Sequence, residues 1–129
     1  LALCDKRRER ANEADVMNIV GDVNGKNCLI IDDMCDTGGT ICKVAEALHK
    51  AGANEISACF THGVLSGKAV ENISGSYLKK VIVTNTIPIR DNGMPLVEGG
   101  KIEVLSVAGL LASAIRSIHD ETSVSSLFI

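Results

Sequence analysis

The amino-acid sequence predicts an α/β fold: a mostly parallel sheet flanked by helices. Three observations point there. Apolar runs of strand length recur at 27–32, 55–63, 79–86 and 101–107. Segments between them carry apolar residues at helical spacing. Short stretches rich in Gly, Asn and Pro separate these segments, with no internal repeat, low-complexity tract or domain linker. Alternation of this kind implies crossover connections and a parallel sheet covered on both faces. The 129 residues suffice for one domain with a core, and an apolar content of 46% argues against disorder.

The elements follow in order. Leu1 opens an apolar stub, after which Asp5, Lys6, Arg7, Arg8, Glu9 and Arg10 form a dense charge run. No apolar periodicity ties residues 5–15 to a core, so they read as an exposed loop. "VMNIVG" at 16–21 reads as a short strand, and Asn24-Gly25 as a turn. "NCLIID" at 27–32 reads as a strand buried on both faces. The next helix carries Ile41, Val44, Ala45 and Leu48 on one side and closes at Gly52. A strand at 55–63, a short helix at 66–74 and a buried strand at 79–86 come next. Residues 87–100 hold both prolines and three glycines and read as a loop. A strand at 101–107 leads to a helix with an apolar side of Val107, Leu110, Leu111, Ala114, Ile115 and Ile118.

Composition narrows the function. A net charge of −3 gives no basic footprint for nucleic acid or a membrane surface. Phe60, Tyr77 and Phe128 are the only aromatics, too few for a base-stacking platform. No apolar run reaches the roughly 18 residues of a membrane-spanning helix. Five cysteines, odd in number and without a CxxC pair, read as reduced thiols in a cytoplasmic protein. The first residue is Leu1 rather than Met, and the chain reads as a piece of something longer.

The chemistry concentrates in "CLIIDDMCDTGGTI", residues 28–41. Ligands of parallel sheets sit beyond the carboxyl ends of the strands, where Asp32 and Asp33 are expected. Gly38 and Gly39 let the backbone bend and approach a ligand. Unpaired N–H groups at the start of the following helix point outward, and its dipole favours an anion. That arrangement cradles a phosphate without a lysine, and Thr37 and Thr40 add hydroxyl donors. Carboxylates repel phosphate, but they accept hydrogen bonds from hydroxyls and bind magnesium. A sugar phosphate satisfies both halves. A nucleotide-binding strand ending in Asp is the rival, but "GDVNGKN" lacks the spacing, and the Ser or Thr after Lys26, of a phosphate-binding loop.

"LIIDDMCDTGGT" resembles the phosphoribosyl pyrophosphate loop of type I phosphoribosyltransferase folds. "DKRRERANEADVMNIVGDVNGK", "THGVLSG", "VIVTNTIP" and "SVSSLF" resemble the ribose-phosphate pyrophosphokinase family in order and spacing. The resemblance covers essentially residues 1–129 and implies a single C-terminal domain of that enzyme, a fragment lacking the N-terminal domain. It implies transfer of the β,γ-pyrophosphoryl group of ATP to the 1-hydroxyl of ribose 5-phosphate, giving phosphoribosyl pyrophosphate and AMP. Asp36, Thr37, Gly38, Gly39 and Thr40 would hold the 5-phosphate. Asp32 and Asp33 would hold the ribose hydroxyls, with Mg2+ as cofactor. Lys6 and Arg8 align with the family's catalytic lysine and arginine on a mobile arm. Such cations suit a reaction that rests on positioning and charge neutralisation. Ser123, Ser125 and Phe128 match positions around a regulatory phosphate and ADP site at a subunit interface, which implies a homo-oligomer, a hexamer in the family.

Two departures accompany the match. The family often has Ala where Gly38 stands, and Glu9 sits among the cations where the family has Pro or a further basic residue. Most of the ATP site would lie in the missing half, leaving this piece inactive alone. The alternatives are a nucleobase phosphoribosyltransferase, for which no segment supplies a hood over the base, and a non-catalytic regulatory homologue, against which Lys6, Arg8 and the acidic loop stand. His62 reads as a strand-end residue bonded to a neighbouring loop, or as a ligand-side or interface group. His49 and His119 sit near helix C-termini, where the dipole favours a cation. Cys35 reads as partly exposed, its thiolate disfavoured by the nearby aspartates.

Overall fold

A computed structural model of the chain describes residues 1–7 and 16–128. Six strands are present: β1 (Leu3–Arg7), β2 (Val16–Val20), β3 (Asn27–Cys35), β4 (Glu55–Gly63), β5 (Lys80–Thr84) and β6 (Ile102–Leu105). The helices are α1 (Gly39–Lys50), α2 (Ala69–Ser74), α3 (Met94–Glu98) and α4 (Ala108–His119). Strands β3 to β6 form one parallel sheet in the order β3-β4-β5-β6, and β1 pairs with β2 as a separate antiparallel hairpin.

That hairpin corrects the loop expected from residue 5. Asp5, Lys6 and Arg7 pair with Asn18, Met17 and Val16. Ladder pairing is made by main-chain groups, which side-chain spacing does not announce. Arg8, Glu9 and Arg10 lie outside the described residues. The loop expected at 87–100 is also corrected. It holds a 3-10 turn at Asp91–Gly93 and the short helix α3. Pro95 stands in the first turn of α3, where its missing N–H costs nothing, and Gly99 ends it.

The core lies on one side of the sheet. Ile56, Ala58 and Phe60 of β4, Val81 and Val83 of β5 and Ile102 of β6 meet Ile41, Val44, Ala45 and Leu48 of α1 and Ala69 and Ile73 of α2. Ile73, Leu78, Val81, Val83 and Ile102 are fully buried. Each such side chain contributes about 1.5–3 kcal/mol relative to exposure.

The expectation of cover on both faces is overturned, for a topological reason. Every step of the strand order runs in the same direction, so right-handed crossovers place the connecting helices on one face. Among the described residues nothing covers the other face at β3 and β6. Leu29 and Ile31 of β3 are 55% and 77% exposed, and Leu105 of β6 is also exposed. The strand expected to be doubly buried is thus an edge strand with one bare face. Helix α4 follows the last strand and packs chiefly on the 3-10 turn Ser125–Phe128. None of its residues is buried, and its Leu110, Leu111, Ile115 and Ile118 form an exposed apolar side. No described helix is long and apolar enough to cross a membrane.

Candidate functional site

β3 runs three residues past its expected end, to Cys35, so Asp32 and Asp33 lie within the strand, both exposed. Asp32 pairs with Phe60 in register. The Asp33 N–H donates to Asp32 Oδ1 over 2.9 Å and orients that carboxylate. Asp32 and Thr40 close one end of a cavity of about 680 Å³. Its remaining walls are mostly apolar: Leu1–Cys4, the edge of β3 and the α1 residues Ile41, Val44 and Leu48. The cavity lies beside a strand edge that has no partner strand among the described residues, with Asp22, Lys26 and Asn27 also lining it, and only Asp32 and Thr40 come from the acidic loop.

The loop itself, Asp36–Gly38, turns the chain from β3 into α1. Its carbonyls are tied to one side. Cys35 O accepts from Leu65 N (3.1 Å), Asp36 O from Ser66 N (3.0 Å) and Thr37 O from Asn72 Nδ2 (2.9 Å). Ser66 Oγ also donates to Asp36 Oδ1 over 2.5 Å. A trans peptide sets each C=O antiparallel to the next N–H. Fixing the carbonyls of 35 and 36 therefore turns the N–H groups of Asp36 and Thr37 the other way, while the amide after the Thr37 carbonyl is used within the turn. The Gly38 N–H reaches the Cys35 thiol.

Gly38 is buried and left-handed, with φ of 73°, a conformation that a residue with a Cβ adopts at a cost. Among the described residues no side chain caps α1, although caps ordinarily satisfy a first-turn donor. The first-turn amides of α1 thus face outward beside those of Asp36 and Thr37. This is the geometry of an anion cradle, made of main-chain donors and the positive end of a twelve-residue helix. The expected 5-phosphate residues Asp36, Thr37, Gly38, Gly39 and Thr40 are brought together in this one turn.

Cys35 departs from expectation. It is buried, 3% exposed. Burial pushes its thiol up to about 11, with smaller contributions from Cys42, Asp36 and Asp32 opposed by the Gly38 amide. All five cysteines are free thiols. His62 Nδ1 is hydrogen-bonded to Thr86 Oγ1 at 2.9 Å, which ties the end of β4 to the loop after β5, as the strand-end reading expects. His49 and His119 close α1 and α4. Ser123 and Ser125 meet locally, Ser125 N donating to Ser123 Oγ over 3.2 Å, and Phe128 is 77% exposed. Lys6 lies on β1, and Arg8 falls outside the described residues.

Sequence reasoning missed Leu65, Ser66 and Asn72. Ser66 and Asn72 bond to residues 30 and 35 positions away, a separation over which no local spacing rule speaks.

The sequence model of the phosphoribosyl synthetase-associated domain matches residues 7–129. The chain belongs to this family. A ribose-phosphate pyrophosphokinase of Helicobacter hepaticus is 55% identical over 128 residues, 99% of this chain and 40% of the relative. One of Shewanella oneidensis is 50% identical over the same span. The crystal structure of phosphoribosylpyrophosphate synthetase from Mycobacterium smegmatis superposes with a TM-score of 0.75 at 40% identity, covering 82% of this chain and 34% of that one. The chain thus spans about 40% of the length of the curated relatives it matches.

Proposed function

We propose that this chain is the ribose 5-phosphate-binding part of a ribose-phosphate diphosphokinase, which transfers pyrophosphate from ATP to the 1-hydroxyl of ribose 5-phosphate. One observation carries the reading. The loop carbonyls are pinned behind the turn, so its open side is a row of main-chain donors next to Asp32 and Asp33. The names of relatives at 50–55% identity support the same reaction. The 5-phosphate lies against Asp36–Thr40, and the sugar hydroxyls donate to Asp32 and Asp33. Lys6 and Arg8 neutralise charge on the transferring phosphates.

Magnesium fits this donor set in a restricted way. Among the described residues no cluster of three His, Cys, Asp or Glu side chains forms a metal cage. Two exposed carboxylates suit an ion that keeps waters and shares substrate oxygens. Asp32 and Asp33 are the residues that would hold it, where it would neutralise phosphate charge.

The open sheet face and the bare side of α4 support a single C-terminal domain that packs against further parts of a longer protein or of sister subunits. The ATP site is then largely outside these residues, and the chain alone turns over little or nothing. Ser123, Ser125 and Phe128 belong to an effector site for phosphate or ADP shared between subunits of a homo-oligomer. The free thiols fit a cytoplasmic enzyme. Titration with ribose 5-phosphate, followed by amide NMR, tests the core of the reading. Shifts concentrated at residues 32–40 are expected, and an unmoved loop with shifts elsewhere would overturn it.

A further inference from the structure

We propose that the segment Leu65–Asn72 is a brace that shapes the anion loop, with Ser66 and Asn72 as positioning residues for ribose 5-phosphate. The inference rests on the ligand assignment above and assigns a role to residues that touch the loop from behind.

Four hydrogen bonds cross from the brace to the loop. Leu65 N and Ser66 N hold the carbonyls of Cys35 and Asp36, Asn72 Nδ2 holds that of Thr37, and Ser66 Oγ holds Asp36 Oδ1. Three consecutive carbonyls are thereby committed to one side, which is what leaves the amides of Asp36 and Thr37 to a ligand, the Gly38 amide being taken up by the Cys35 thiol. The Ser66–Asp36 bond has a second effect. It fixes the carboxylate nearest the cradle on the brace side, so that an arriving anion meets amides before it meets a negative charge.

The brace is itself rigidly set. Leu65 is buried and left-handed, with φ of 49°, a conformation unusual for a residue with a branched side chain. Its N–H bond to Cys35 and its place in the core hold it there. Ala69 and Ile73, both fully buried on α2, lie against Gly38, with Ala69 O and Ile73 Cγ1 each 3.6 Å from the point a Cβ would occupy. The loop is therefore pressed against a packed surface as well as hydrogen-bonded to it. A free turn would sample many φ/ψ combinations and present its amides together only part of the time. The brace removes that cost before the ligand arrives.

The test compares the wild-type chain with Ser66→Ala, Ser66→Thr and Asn72→Ala. Two quantities are read at the amides of residues 36–40: NMR order parameters without ligand, and affinity for ribose 5-phosphate. In the wild type the order parameters are expected near the rigid value of about 0.85, and both alanine variants should move them toward the flexible range below about 0.6. Affinity should fall about fivefold or more in each, the ratio carried by one net hydrogen bond. Ser66→Thr keeps the hydroxyl and should restore both quantities to within about twofold. Ser66 is partly exposed, so its variants carry the test alone if Asn72→Ala does not fold. Unchanged order and affinity in Ser66→Ala overturn the brace, as does a loosened loop with unchanged affinity. A wild-type chain that does not bind, together with alanine variants that loosen the loop, refutes the ligand assignment and leaves the mechanical role of the brace standing.

Discussion

Gly38→Ala separates the two things this residue does, providing a left-handed bend and leaving its surroundings uncrowded. Its φ is 73°, and an added Cβ would lie 3.6 Å from Ala69 O and Ile73 Cγ1 and 3.7 Å from Ala69 Cα. These are ordinary contacts, so no steric term enters. The left-handed conformation costs alanine about 1–2 kcal/mol. Loss of unfolded-state freedom returns about 0.4–1 kcal/mol. The net destabilisation is then about 0–1.6 kcal/mol, a fall in melting temperature of up to roughly 6 °C for a chain of this size. Gly100 is the control, because its φ is 72° and nothing lies within 4 Å of its Cβ position. Thermal melts of Gly38→Ala and Gly100→Ala should therefore agree within experimental scatter. Because the cradle's donors are main-chain groups, affinity for ribose 5-phosphate should change by less than about threefold. A cost exceeding that of Gly100→Ala by more than about 1 kcal/mol would show that the space beside Ala69 is not there. A stabilising effect would show that residue 38 is not held left-handed.

Four further outcomes follow from the same structure. Cys35 should resist alkylation in the folded state, since a thiol near pKa 11 is about one part in a thousand thiolate at pH 8; labelling as fast as in urea would contradict this. Its folded pKa lies above the unfolded value of 9.0, so its contribution to stability is complete below pH 9 and is lost as the pH rises toward 11; the denaturation midpoint of Cys35→Ala should fall less steeply over that window. Ile73→Ala should destabilise by about 2–5 kcal/mol, because the side chain is fully buried, whereas Ile115→Lys, 68% exposed on α4, should stay within about 0.5 kcal/mol in the isolated chain; chemical denaturation distinguishes the two, and a large loss for Ile115→Lys would mean that α4 packs on the core. Magnesium alone should barely shift Asp32 and Asp33 and should do so strongly once ribose 5-phosphate is present; tight binding without the sugar phosphate would refute the two-carboxylate site.

Local spacing in the sequence specified the parallel α/β class, the bounds of β4, the apolar side of α1 and the turn between β3 and α1. Each is written in local spacing: apolar runs, a 3.6-residue period, or acid followed by glycine. It did not show β1, because main-chain pairing with β2 is not written in local side-chain spacing. It placed the end of β3 too early, at Asp32, because no apolar run continues past that residue, and yet Met34 and Cys35 extend the ladder beside β4. Strand order was also out of reach, and strand order decided which faces are covered. Four strands stepping in one direction put their crossover helices on one side, and a pattern of apolar residues does not encode a direction of stepping. The tertiary structure alone supplied the brace, since Ser66 and Asn72 act on a loop some thirty residues distant and only folding brings their donors to its carbonyls.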